Sequence, residues 1–137
     1  MRMQSKRAIV TGGGRGIGLG IVECFLEEGA EVCILQRTAP ESGLENHRLH
    51  YFQTDLADTA ALVQAARNCI ETMRGVDILV NNAGIMLEQS LDDLEVESWD
   101  QLMAVNLRAP AFLVQAVLPA LTESRGTIIN KIGRAHV

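Results

Sequence analysis

The chain has 137 residues, which suits one domain and leaves little room for a second. Hydrophobic residues at 47% and charged residues at 21% are ordinary globular composition and exclude a disordered chain. A net charge of −5, with the basic residues scattered, argues against a nucleic-acid partner, because phosphate binding needs a concentrated basic face.

The polar start, Met1 to Arg7, runs straight into a short apolar strand. No signal-peptide pattern and no apolar run long enough to span a bilayer is read, so no membrane partner is expected and the location expected is cytoplasmic. Cys24, Cys33 and Cys69 are odd in number and lie in apolar segments, as expected of buried thiols in a reducing compartment. No His/Cys spacing suits a metal.

In chain order, Ala8–Val10 reads as a strand ending in glycines. From Gly16, Ile17, Ile21, Cys24 and Phe25 keep helical spacing up to a stop at Gly29. Glu31–Gln36, with Val32, Cys33, Ile34 and Leu35, reads as a second, fully buried strand, followed by a polar loop over 38–48. Leu49–Gln53 is a third strand. Thr59–Arg74 is an amphipathic helix with Leu62, Ala65, Ala66, Cys69, Ile70 and Met73 on one face. Val76–Val80 is a fourth strand. A helical stretch from about Glu97 to Glu123 contains Pro110 and Pro119, so a break or kink is expected between Asn106 and Pro110. Gly126–Asn130 is a fifth strand. Trp99, Met73, Met86 and Met103 read as core or groove packing, and Asp77 as a strand-entry residue.

Strands separated by helices imply parallel pairing with right-handed crossovers. Strands apolar throughout imply a sheet covered on both faces. The expected fold is an α/β, Rossmann-type doubly wound sheet with strand order 3-2-1-4-5.

Between the first strand and the first helix stands Thr11-Gly12-Gly13-Gly14-Arg15-Gly16-Ile17-Gly18. Glycines at a strand–helix turn permit positive φ and let backbone N–H groups approach a phosphate. The helix N-terminus then stabilises the anion. The bland alternative is a glycine-rich turn with no ligand, at a high cost in chain entropy.

Read as T-G-x-x-x-G-x-G, this turn resembles the short branch of the short-chain dehydrogenase/reductase family. The resemblance continues through Asp55-Leu56, Asn81-Asn82-Ala83-Gly84 and Asn106, in order, over residues 7–130. It implies that Gly12, Gly14, Arg15, Gly16, Ile17 and Gly18 line a nicotinamide dinucleotide. It further implies that Asp55 accepts from the adenine amino group, that Leu56 shapes that pocket, and that Asn82, Ala83 and Gly84 pass near the nicotinamide-side ribose. Asn106 takes the place of an asparagine that holds a water in a proton relay. The alternatives are a solvated charge for Arg15, a helix N-cap for Asp55, a strand tie for Asn82 and a helix-breaking polar residue for Asn106.

At the end of the second strand, where an acidic residue would bond the ribose hydroxyls of NAD, the chain has Gln36-Arg37. No carboxylate there repels a 2′-phosphate, and Arg15 and Arg37 offer it charge-assisted bonds, so NADP is preferred over NAD. The family's chemistry also needs a serine, a tyrosine and a lysine four residues after the tyrosine. The one tyrosine is Tyr51, and no Tyr-x-x-x-Lys occurs.

The implied function is hydride transfer between the nicotinamide and a carbonyl or secondary alcohol of a small-molecule substrate. The intact family member would be a homo-oligomer, and this chain would be an inactive N-terminal part. A non-catalytic dinucleotide-binding redox sensor is the second reading, and an extended-branch epimerase is disfavoured by the glycine spacing. Residues 1–130 are expected to be the dinucleotide-binding domain and 131–137 a non-native tail. Ile132 to Val137 is what ATC GGA AGA GCA CAC GTC encodes, the sequence of a common library adapter. With one sheet edge then open, the chain is expected to be poorly soluble or weakly folded.

Overall fold

The computed structural model describes residues 1–40 and 43–133. Glu41 and Ser42, in the expected loop over 38–48, and the last four residues of the expected tail lie outside them.

Five parallel strands form one sheet in the order β3-β2-β1-β4-β5. They are β1 (Arg7–Thr11), β2 (Glu31–Gln36), β3 (Leu49–Gln53), β4 (Ile78–Asn81) and β5 (Thr127–Asn130). The order and the doubly wound class are those read from the sequence. Thr11 pairs with Leu35, Gln36 with Gln53, Val10 with Val80 and Asn81 with Asn130. Every strand therefore delivers its C-terminal residue to the same edge of the sheet, the edge where ligands of open α/β sheets bind.

The helices are α1 (Gly16–Glu27), α2 (Thr59–Met73), α3 (Val96–Met103) and α4 (Ala109–Ser124). Between β2 and β3 the described residues contain no helix. One face of the sheet buries Ile9, Cys33, Leu35 and Leu79 against α2 and α4, through Leu62, Cys69, Met73, Leu113, Val117 and Leu121. The other face buries Ala8, Val10, Val32, Ile34 and Val80 against Val22 and Leu26 of α1. Two faces with one apolar residue each explain why these strands read as continuous apolar runs.

Coverage fails at β5, whose four residues are all exposed. The expected cover on both faces thus holds for β1, β2 and most of β4 only. β5 pairs with β4 alone, and no helix among the described residues packs on its second face.

Of the break or kink expected near Asn106 to Pro110, the chain shows a local irregularity and no interruption. Ala104–Arg108 forms a π-helical turn that joins α3 to α4 without interruption, and the Ala109 N–H reaches back five residues to Ala104 O. Pro110 follows this turn directly, and its missing N–H falls where the wider i→i+5 bonding replaces the i→i+4 ladder. The joined helix Val96–Ser124 has a window of mean hydropathy 1.4, long and apolar enough by length and composition to cross a bilayer, which corrects the reading that no run is. Here Ala109, Leu113, Val117 and Leu121 are packed into the sheet-and-α2 core.

Several packing expectations change as well. Cys33 and Cys69 are buried, but Cys24 is exposed. Cys33 and burial together push the Cys69 thiol above the ordinary thiol range, so it is an inert core group. Met73 is buried, whereas Trp99 is 50% exposed and Met86 is exposed. Asp77 is the strand-entry residue expected of it. It receives the Arg7 backbone N–H and Nε at 2.9 Å each, clamping the start of β1 to the start of β4.

Candidate functional site

At the C-terminal edge, β1 runs into the glycine-rich turn and α1. Gly12 has φ +63° and Gly16 φ +57°, values that a side chain disfavours. A Cβ on Gly18 would run into the Gly12 carbonyl oxygen and come within 2.5 Å of Asn82 Nδ2. The turn is therefore folded on itself as tightly as glycine allows.

Arg15 is the N-cap residue of α1, in extended conformation, and no side chain caps the helix. The first-turn N–H groups have no intrahelical acceptors and carry the positive end of the helix dipole. Arg15, Gly16 and Ile17 are exposed, while Gly12 is partly and Gly14 and Gly18 fully buried. The first three present a surface, and the last two shape it from beneath.

The Asn81–Gly84 segment closes onto the turn from β4. Thr11 Oγ1 accepts the backbone N–H groups of Asn82 at 3.1 Å and Ala83 at 3.0 Å. Asn82 Nδ2 donates to the main-chain oxygens of Thr11 at 3.0 Å and Gly12 at 3.2 Å. Asn82 is the strand tie that one reading gave it, and its buried Oδ1 has no protein partner. Gly84 is exposed.

From β2, Gln36 reaches over the turn. Its Oε1 accepts the Gly14 N–H at 2.8 Å and its Nε2 donates to Thr38 O at 2.7 Å. A Cβ on Gly14 would collide with this carboxamide. Arg37 is exposed, and neither it nor Arg15 forms an ion pair among the described residues. In the sequence Gln36 stands only for the absence of a carboxylate. Its contact with the turn was not legible, because nothing local links positions 14 and 36.

Beyond β3, Asp55 Oδ1 accepts the Ala57 N–H at 3.0 Å, a local turn. The N-cap of α2 is Asp58, which receives Ala61 N–H at 3.1 Å, so the N-cap reading of Asp55 is corrected. Asp55 is exposed at the edge and Leu56 is buried beside it.

Asn106 lies in the π-helical turn. Its Oδ1 accepts the Ile85 N–H and its Nδ2 donates to Ile85 O, both at 2.8 Å. It braces the helix against the segment after Gly84 rather than breaking the helix. The helical partner of the Asn106 carbonyl four residues on would be Pro110, which carries no N–H. The asparagine–proline spacing was the signal for this unusual turn.

Among the described residues no group of three or more His, Cys, Asp or Glu is placed to hold a metal ion. The residues present do fit a pyrophosphate. Free N–H groups and a surface with no intruding Cβ meet where β1 runs into α1, beside the exposed Arg15.

A parallel doubly wound sheet with a glycine-rich β1–α1 turn defines a dinucleotide-binding class of protein. The model of the short chain dehydrogenase family matches residues 6–134, and the chain belongs to that family. It is 37% identical to a short-chain dehydrogenase/reductase of Penicillium canescens, over 98% of this chain and 54% of the relative. It is similar to a short chain dehydrogenase from Burkholderia cenocepacia solved in complex with NADP, at 37% identity and TM-score 0.82, over 95% of this chain and 56% of that one. A blue fluorescent protein from a metagenomic library, solved in complex with NADPH, superposes with TM-score 0.85 at 32% identity, over 95% of this chain and 56% of that one. The chain spans about half the length of the curated relatives it matches.

Proposed function

We propose that this chain is the cofactor-binding part of an NADP(H)-dependent oxidoreductase. The cofactor, when bound, supplies hydride exchange with a carbonyl or secondary alcohol of a small molecule. Gly12, Gly14, Arg15, Gly16, Ile17 and Gly18 hold the pyrophosphate. Asp55 and Leu56 hold the adenine, and Asn82, Ala83 and Gly84 flank the nicotinamide-side ribose. Asn106 keeps its side chain on Ile85 and offers its main-chain carbonyl to a relay water.

The observation that carries the cofactor preference is the neutral carboxamide of Gln36 at the turn, with Arg15 and Arg37 unpaired beside it in sequence. A charge-assisted bond contributes about 1.5–3 kcal/mol, so binding of NADP⁺ should exceed that of NAD⁺ by about tenfold or more. Calorimetric titration of both cofactors checks this. Equal binding, or tighter NAD⁺, would overturn the preference, and binding of neither would overturn the cofactor site.

With no Tyr-x-x-x-Lys in the sequence, the chain alone carries the cofactor but turns nothing over. A non-catalytic redox-sensing module is the second reading. The full-length gene separates them, since Tyr-x-x-x-Lys downstream means an enzyme. Three unpaired thiols support a reducing cytosol. Exposed Ile85, Met86, Leu87, Trp99 and Leu107 support a homo-oligomer of the whole protein, to be checked by light scattering. The native sequence in this reading is 1–130. Genomic DNA continuing in frame with the codons of 131–137 would refute that boundary.

A further inference from the structure

Behind the turn, where β1 and β4 end, a cavity of about 10 Å³ is lined by Thr11, Asn81, Ala83, Val105, Ala109 and Leu113 among others. Two of its walls are polar, and each has one unmet hydrogen-bonding capacity. Asn81 is 6% exposed. Its Nδ2 donates to Asn130 Oδ1 at 2.9 Å, and its buried Oδ1 has no protein donor. Thr11 Oγ1 already accepts two N–H bonds, from Asn82 and Ala83. Both its lone pairs are then engaged, and its hydroxyl proton must donate. No protein acceptor for that proton is found among the described residues.

The geometry points to a site for one internal water molecule, accepting from the Thr11 hydroxyl and donating to Asn81 Oδ1. A volume of about 10–15 Å³ admits one water, and a buried water needs at least two polar partners. The apolar remainder of the wall leaves no place for a charged ligand. The site joins two side-chain networks that are otherwise linked only through the backbone. On one side is the Thr11–Asn82–Ala83 group that holds Gly12. On the other is the Asn81–Asn130 pair that ties β4 to the exposed strand β5. The water adds a side-chain link to the backbone ladder that already joins the ends of β1, β4 and β5.

High-resolution diffraction from the full chain tests this directly. The expected result is a solvent peak within hydrogen-bonding distance, about 2.6–3.2 Å, of both Thr11 Oγ1 and Asn81 Oδ1. A dry cavity, or a peak touching only one of them, overturns the proposal. Oxygen-17 magnetic relaxation dispersion in solution gives an independent count of long-lived waters. Ala109→Val, which fills the cavity from its apolar side, should lower that count by one. Thr11→Ser, which keeps the hydroxyl, should leave it unchanged. An unchanged count in Ala109→Val with native circular dichroism would overturn the site. If Ala109→Val does not fold, the diffraction result on the unsubstituted chain decides.

Discussion

β1 and β5 both pair with β4, and both carry β-branched apolar residues at their centres, yet one is dry and the other wet. Ile9 of β1 is 0% exposed, while Ile129 of β5 is 44% exposed. The pairing partner is shared, so pairing does not set the difference. Cover does. β1 has α1 on one face and α2 with α4 on the other, whereas β5 has one neighbour and little above it. The cofactor side of the molecule therefore carries its own core. The side where Asn106 and Asn130 stand rests on fewer contacts.

The largest expected effect separates the two strands directly. Ile9→Ala should cost about 3–5 kcal/mol of stability in urea unfolding, from lost transfer energy plus the cavity left behind. Ile129→Ala should cost under about 1 kcal/mol, since its side chain is half in water. Comparable losses would mean that β5 is covered in solution.

Next is the clamp at the start of β1. Burial pushes the Asp77 carboxyl up, but the bonds and charge of Arg7 outweigh it and hold it below the ordinary 3.8. The folded state therefore binds fewer protons than the unfolded one near that value. The clamp's contribution is fully present above about pH 4 and fades as the pH falls through the lowered folded value. Asp77→Asn should cost about 1–3 kcal/mol at neutral pH and flatten this acid limb. An unchanged acid limb would show that Asp77 does not supply it.

At the turn, Gly18→Ala must displace the Gly12 carbonyl, and should weaken dinucleotide binding by about tenfold, a loss of about 1.4 kcal/mol. Gly20→Ala meets nothing within 4 Å and should leave binding unchanged. Equal effects of the two would mean that helix propensity, not the close approach, governs the turn. The smallest effect belongs near β5. Arg125 ends α4 at φ 54°, and Arg125→Gly should stabilise by about 0.5–1 kcal/mol in thermal unfolding.

Much of the cofactor side was legible because its signals are local. The apolar runs of β2 and β3, and the α2 face from Leu62 to Met73, each express a periodicity within one segment. The T-G-x-x-x-G-x-G turn does the same, since Gly12 and Gly16 answer to their own backbone angles. The order of motifs then fixed the strand order, because right-handed parallel crossovers leave few topologies.

What the sequence by itself determined was the type and order of elements, the family, and the edge of the sheet where the site would lie. Tertiary structure decided the rest. Gln36 on Gly14, Asn106 on Ile85 and Thr11 under Asn82 join residues 21 to 71 positions apart, which no local period encodes. Tertiary structure also decided how Pro110 is taken up, in a π-helical turn over Ala104–Arg108 that keeps the helix continuous. It decided that the apolar residues of β5 stay wet, because burial depends on what lies across a strand and not on the strand's own composition.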